Sequence, residues 1–331
     1  MSSHVLRLGT RGSLLARTQS GLVADAVGRL LGDSAAVEEV IVRTEGDDST
    51  IPLHESKTPG LFVNSLRAAL LAGEVDFIVH SFKDLPSAPT PGIAMAAVPA
   101  REDLHDVLVS RDNLTLAQLP SGSVVGTSSP RRSAKILVAR PDLVIRPIRG
   151  NVDSRITKVR AGDFDATVLA AAGLKRIGRY DETAEVLGLD VLLPAPAQGA
   201  LAVECRSDDV ETLALLAQIN DANARLITTA ERAVLVGVAA TCSTAVGAVA
   251  TLEAGVLKVQ AELSGNTEPN GSGLPIEFER FEISAPITLP VDSPAALSEA
   301  HQLGLFVAAK LMATELGKAV AADIGAERGN D

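Results

Sequence analysis

Short apolar runs alternate with helix-length patterns through the first two-thirds of the chain. That alternation admits few folds other than helices layered on a parallel or mixed sheet. Residues 5–9 read as a strand. Residues 13–31 read as a helix, with Leu14, Thr18, Leu22 and Ala26 four apart. Residues 37–43 read as a second strand, and 44–60, TEGDDSTIPLHESKTPG, as a mobile polar loop. A helix is expected over 62–72 with Gly73 as its C-cap, then strands over 76–80 and 93–98. A similar α/β series begins near residue 107. Its expected strands are 107–110, 123–126, 144–148 and 166–170, with helices over 131–139, 152–161 and 171–177. The Pro- and Gly-rich block 192–206 ends strand-like and is placed back in the first sheet. A helix over 221–236, strand-like runs within 244–290 with a turn at Asn270-Gly271, and a long or broken helix over 295–324 complete the chain.

The chain has 331 residues, enough for two or three domains, and a formal charge of −11. Net acidity argues against a general nucleic-acid binder, and an aromatic content of 2% argues against stacking platforms for single strands. No apolar run is long enough to span a membrane. The start, MSSHVLRLGTRGS, lacks a signal-peptide pattern, so a cytoplasmic setting is expected. Two cysteines, Cys205 and Cys242, make neither a disulfide framework nor a four-cysteine zinc site. The histidines show no metal-site spacing, and neither a P-loop nor a GxGxxG is present.

The cations are unevenly placed. Segment 126–176 carries eleven Lys or Arg against four Asp, while the whole chain is acidic. One basic segment in an acidic chain points to an anion site. Lys135, Arg140, Lys158 and Arg160 are expected on solvated helix faces. The others follow strands: Arg11, Lys83 with Asp84, Arg131 with Arg132, Arg149, and Lys175 with Arg176. In open α/β sheets ligands bind beyond the carboxyl ends of the strands. In GTSSPRR, 126–132, Ser129 suits an N-cap and Pro130 the first helical position. Arg131 and Arg132 then fall in the first turn, where the helix dipole disfavours cations unless an anion binds there. Asp84 reads either as the partner of Lys83 or as a carboxylate that stabilises a developing cation. Cys205 reads as a buried small side chain. Cys242, in the polar stretch ATCSTAV, reads equally as that or as a reactive, modifiable thiol.

The motifs RLGTRGSLLA (7–16), DFIVHSFKDLPS (76–87), GTSSPRRSAK (126–135), IRGNVDSRI (148–156), LAAAGLKRIG (169–178) and PAQGALAVECR (196–206), with a cysteine at 242, together resemble the porphobilinogen deaminase (hydroxymethylbilane synthase) family. The resemblance implies an α/β fold of three domains. The first two, 1–99 plus 200–218 and 100–199, would resemble type II periplasmic binding protein lobes with mixed sheets and the site in the cleft between them. The third, 219–331, would be a smaller α+β domain carrying the cofactor cysteine. The implied activity is a transferase of tetrapyrrole biosynthesis, joining four porphobilinogen molecules head to tail with loss of ammonia to give linear 1-hydroxymethylbilane. The implied cofactor is dipyrromethane, made from two substrate units and held by a thioether to Cys242.

Each unit brings an acetate and a propionate. Carried over by position, Lys83, Thr127, Ser128, Ser129, Arg131, Arg132 and Arg155 would bind cofactor, Arg11, Ser13, Arg149, Arg155 and Arg176 substrate. Asp84 would be catalytic and also face the cofactor's pyrrole N–H groups. No metal is implied, nor a nucleic-acid or membrane partner, and the chain is expected to be a monomer. Thr241 stands where the family usually has Gly, STAV replaces the family's Pro-containing stretch, and 55–59 holds Lys57 where the family has several lysines. From the residues alone, a non-enzymatic two-lobed anion binder shares these lobes and cations. A relative that keeps the fold without the cofactor is a third reading, kept open by Thr241.

Overall fold

The computed structural model describes residues 4–32, 35–42, 61–241, 243–265 and 276–329. The loop 44–60, Cys242 and the Asn270-Gly271 turn lie outside the described residues. In chain order come β1 (His4–Thr10), α1 (Leu14–Leu31), β2 (Ala35–Ile41), α2 (Leu61–Leu71), β3 (Phe77–Ser81) and β4 (Ile93–Ala97). Next are β5 (Asp106–Ser110), β6 (Val124–Gly126), α3 (Pro130–Ala139), β7 (Val144–Arg146), α4 (Val152–Ala161), β8 (Ala166–Ala170), α5 (Ala171–Arg176) and β9 (Glu185–Leu187). Then follow β10 (Leu201–Arg206), α6 (Val210–Leu216), α7 (Ala222–Val238), β11 (Val246–Glu253), β12 (Val256–Ser264), β13 (Phe278–Pro286), α8 (Pro294–Met312) and α9 (Glu315–Gly329). They form two compact units, 1–102 with 199–225, and 103–198 with 226–331.

The first unit holds a five-stranded sheet in the order β2-β1-β3-β10-β4. β1 runs parallel to β2 and β3, while β10 is antiparallel to both β3 and β4. Val23 and Val27 of α1 pack with Leu6, Leu8, Phe77 and Val79 on one face; Leu66 and Leu70 of α2 pack with Val75 and Ile78 on the other. Covering both faces explains why β3 is continuously apolar up to His80 rather than alternating. α2 is also pinned by charge. Arg67 donates to both carboxylate oxygens of buried Glu204 on β10, at 2.9 and 2.6 Å, and to Thr90 Oγ1 at 2.7 Å. Burial pushes the Glu204 carboxyl up, but Arg67 and His80 outweigh it and hold it at about 2.

The second unit holds a mixed sheet in the order β7-β6-β8-β5-β9 and an antiparallel sheet β11-β12-β13. β6 is parallel to β7 and β8, whereas β5 runs antiparallel to β8 and β9. Leu226, Ala230 and Val234 of α7 and Ala300, Val307 and Leu311 of α8 cover the three-stranded sheet. β11 meets the segment after β9 closely. A Cβ at Gly247 would sit 2.9 Å from Leu193 Cβ and 3.0 Å from its carbonyl oxygen, and Ala248 N–H donates to Pro194 O at 3.0 Å.

The two five-stranded sheets repeat one layout, as the two similar halves of the sequence suggest. The expected strand 144–148 ends at Arg146, because Pro147 has no N–H for the ladder. Strand β9, three residues long, and α6, begun by Asp209 as N-cap, are additional to the expected elements. The closing helix is broken: Thr314 Oγ1 accepts from Gly317 N–H at 3.0 Å and starts α9 anew.

Replacing Arg67 by Ala strands a buried carboxylate and lowers stability by about 3–5 kcal/mol, measured as a lower denaturant midpoint. In the unaltered chain the Glu204 contribution is fully present above its unfolded value of 4.5 and is lost as pH falls toward 2. The Arg67→Ala chain should lose less stability over that window in acid-unfolding curves.

Candidate active site

β1 and β3 are parallel neighbours, so their carboxyl ends open on one edge of the first sheet. Ser13 leaves β1 as the N-cap of α1, its hydroxyl accepting from Ala16 N–H. Gln19 Nε2 donates to Ser81 Oγ at 2.8 Å, tying α1 to the end of β3. Buried Phe82 anchors a single tight turn, Phe82–Asp84, that leaves Lys83 half-buried and Asp84 exposed. Arg11, Ser13, Lys83 and Asp84 thus share this edge. Gln19 and Ser81 join them; sequence reasoning missed both, although Ser81 lies inside the HSFKDLPS motif.

The matching edge of the second sheet collects the exits of β6, β7 and β8. Thr127 N–H donates to Arg146 O at 3.0 Å and Ser128 Oγ to Ile148 O at 3.0 Å, so the loops after β6 and β7 are joined. Thr127 Oγ1 accepts from Ser129 N–H at 3.1 Å. Ser129 caps α3 and Pro130 opens it, as the motif predicts. Arg131 and Arg132 turn inward and are nearly buried, meeting a carboxylate that sequence reasoning did not single out. Asp106, 0% exposed, accepts from Arg131 Nη1 at 2.7 Å and from Arg132 Nη2 and Nε at 2.6 and 3.1 Å. The same arginines donate to the carbonyls of Leu193 and Val168. Burial and the neighbouring guanidinium push Arg131 below its ordinary value against the pull of Asp106. An acid opening the otherwise apolar run VLVS was the available signal.

Beyond β7, Gly150 has φ +107°, and a Cβ there would run into Ser154 Oγ. Asn151 then caps α4 by accepting from Ser154 N–H at 2.9 Å. Half-buried Arg155 donates through Nε to Gly150 O at 2.8 Å. Arg149 is exposed on the same turn, and Arg176 is half-buried in the last turn of α5.

Of the four cations expected on solvated helix faces, one is buried. Lys135 is buried, 3.0 Å from Glu262 Oε2 and 3.6 Å above the Phe278 ring. Arg140 folds back onto the carbonyls of Leu116 and Leu119 and pairs with Asp142 at 2.7 Å. Lys158 donates to Arg149 O at 3.1 Å. Arg160 stays exposed, paired with Glu182. Cys205 is buried, and burial pushes its thiol up to about 11.

The protein is α/β, with cationic and hydroxyl side chains gathered at the carboxyl ends of its strands. Residues 6–214 match the family model described as porphobilinogen deaminase, dipyromethane cofactor binding domain. The porphobilinogen deaminase of Mycobacterium tuberculosis (strain ATCC 25618 / H37Rv) is 52% identical over 246 residues, 74% of this chain and 78% of the relative. That of Acidothermus cellulolyticus is 48% identical over 273 residues, 81% of each. Among solved structures, the methionine binding protein MetQ aligns with a TM-score of 0.41 at 11% identity, over 65% of this chain and 89% of that one. The chain belongs to the porphobilinogen deaminase family. Its activity is hydroxymethylbilane synthesis in tetrapyrrole biosynthesis, a transferase reaction, and its cofactor is dipyrromethane. No helix among the described residues is long and apolar enough to cross a membrane.

Substituting Gly150 by Ala forces the turn that carries Arg149 and Arg155 to move. A loss of about 1–3 kcal/mol is expected, measured as a lower melting midpoint. Lys135→Met should cost less than Arg67→Ala, because Arg280 still pairs with Glu262 at 2.6 Å.

Proposed function

We propose that Cys242 carries the dipyrromethane and that the strand-end residues of each sheet divide the work of hydroxymethylbilane synthesis. The observation that carries this reading is the group formed by Arg131, Arg132 and Asp106. Two guanidinium groups share one carboxylate there, nearly buried, beside three consecutive hydroxyl residues. Such a donor set fits a molecule whose periphery is carboxylates. When bound, dipyrromethane would supply the anchored pyrrole from which the chain of new units grows.

The residues of this chain do the rest. Arg131, Arg132 and Arg155, with Thr127, Ser128, Ser129 and Lys83, hold the cofactor's acid side chains. Arg11, Ser13, Arg149, Arg155 and Arg176 take the acetate and propionate of incoming porphobilinogen. In each coupling the C–N bond of the aminomethyl group breaks and ammonia leaves. A carbon–carbon bond forms, and the proton displaced from the pyrrole carbon is lost. Asp84, exposed at the end of β3, offers its negative charge to the cation left when ammonia departs. Preorganised charge of this kind is worth about 3 kcal/mol. The same reading divides the chain into three domains, 1–99 plus 200–218, 100–199 and 219–331. It has the chain act as a cytoplasmic monomer without nucleic-acid or membrane partners.

The intact mass of the denatured protein, beside a Cys242→Ser variant, tests the attachment. An excess equal to one two-pyrrole unit is expected, absent from the variant. A bare mass unchanged after incubation with porphobilinogen would instead mark a relative that keeps the fold without the reaction. Asp84→Asn should lower kcat by about 10²–10³-fold with little change in KM, in steady-state assays with porphobilinogen.

A further inference from the structure

Asp106 lies where it does for a topological reason. β5 is antiparallel to β8, with Asp106 opposite Ala170 and Ser110 opposite Ala166. The first residue of β5 therefore sits at the carboxyl end of β8, on the edge where β6, β7 and β8 deliver their cations. There Asp106 makes two arginines neighbours that would otherwise repel, and it accepts a further bond from Gln198 Nε2 at 3.1 Å. Gln198 is itself buried and also donates to Leu104 O at 2.8 Å. The residue before it, Ala197, has φ +63° and gives its N–H to buried Glu231 at 2.6 Å. Of the other charges close by, buried Lys135 and partly exposed Arg280 both pair with buried Glu262, and buried Glu231 is met by the N–H groups of Ala197 and Ala250. Within their own group, two guanidinium groups against one carboxylate leave Arg131, Arg132 and Asp106 one positive charge in excess.

We propose that Asp106 is the positioning residue of this arginine pair: it sets the two guanidinium groups side by side and offsets one of their charges, leaving the pair matched to a single carboxylate of the bound pyrrole chain. The proposal rests on the functional reading above. With Asp106 the pair is tolerable in the bare protein, because a buried charge without a partner is costly. With one charge still unmatched, the pair gains from a carboxylate and has no such call for a second.

Charge restoration tests it. Full-length wild type, Arg132→Gln, Asp106→Asn and the double variant are produced without porphobilinogen and then incubated with it. Intact mass gives the loaded fraction, and melting is followed for bare and loaded forms. Arg132→Gln leaves the group neutral and should load about ten-fold less. Asp106→Asn leaves two charges unmatched, so its bare form should melt below bare wild type and loading should close most of that gap. The double variant again has one excess charge and should load several-fold better than Arg132→Gln. If it loads no better, or if Asp106→Asn lowers bare and loaded forms equally, the proposal is wrong and Asp106 is only structural. Should Asp106→Asn alone fail to fold, the double variant still decides. A wild type that gains no mass removes the functional reading and this proposal together, whereas a loading wild type with a failing double variant removes this proposal alone.

Discussion

A carboxylate with no exposed surface, Asp106, decides where two guanidinium groups point. The helix dipole at the start of α3 opposes cations in the first turn. Arg131 and Arg132 occupy it because their side chains leave the helix for an internal acid and for two backbone carbonyls. Four pieces of chain must then stay in register: α3, the start of β5, β8 at Val168 and the segment through Leu193. The three-stranded sheet adds a fifth, since Gly247 lets β11 close on Leu193 and Pro194.

The first unit uses the same ingredients for another purpose. Arg67 and Glu204 are one cation and one anion, joined by two short hydrogen bonds beneath α2. That pair is balanced and asks for nothing more. The arginine pair of the second unit has two cations to one anion. Both arrangements are buried and both are costly to break. The difference lies in stoichiometry rather than in residue type.

The elements were legible where one physical signal dominated. Alternating apolar runs located most of the strands within a few residues, β9 excepted, and Ser129-Pro130 announced the start of α3. The strand-end cations were legible as a group because parallel strands must open their carboxyl ends together. Long-range pairing was the hidden part. Nothing near Lys135 in the chain reveals Glu262, and nothing near Arg131 reveals Asp106, twenty-five residues away. A helical surface pattern cannot tell a solvated lysine from one facing a carboxylate on another sheet. Gln19 and Ser81 were overlooked for the same reason, since each is ordinary until α1 and β3 are brought together.

The place of β10 bears on how the chain comes to be folded. It lies inside the first sheet, between β3 and β4, yet it is reached only after the whole second five-stranded sheet has been traversed. During synthesis β3 and β4 therefore emerge about a hundred residues before the strand that joins them, at roughly 5–20 residues per second. For that interval their inner edges lack partners, and closing the sheet means forming contacts of long sequence separation, which slows folding. The second sheet has no such debt to later sequence, because β5 to β9 are consecutive. A ribosome releasing this chain would thus present a finished middle before a finished beginning.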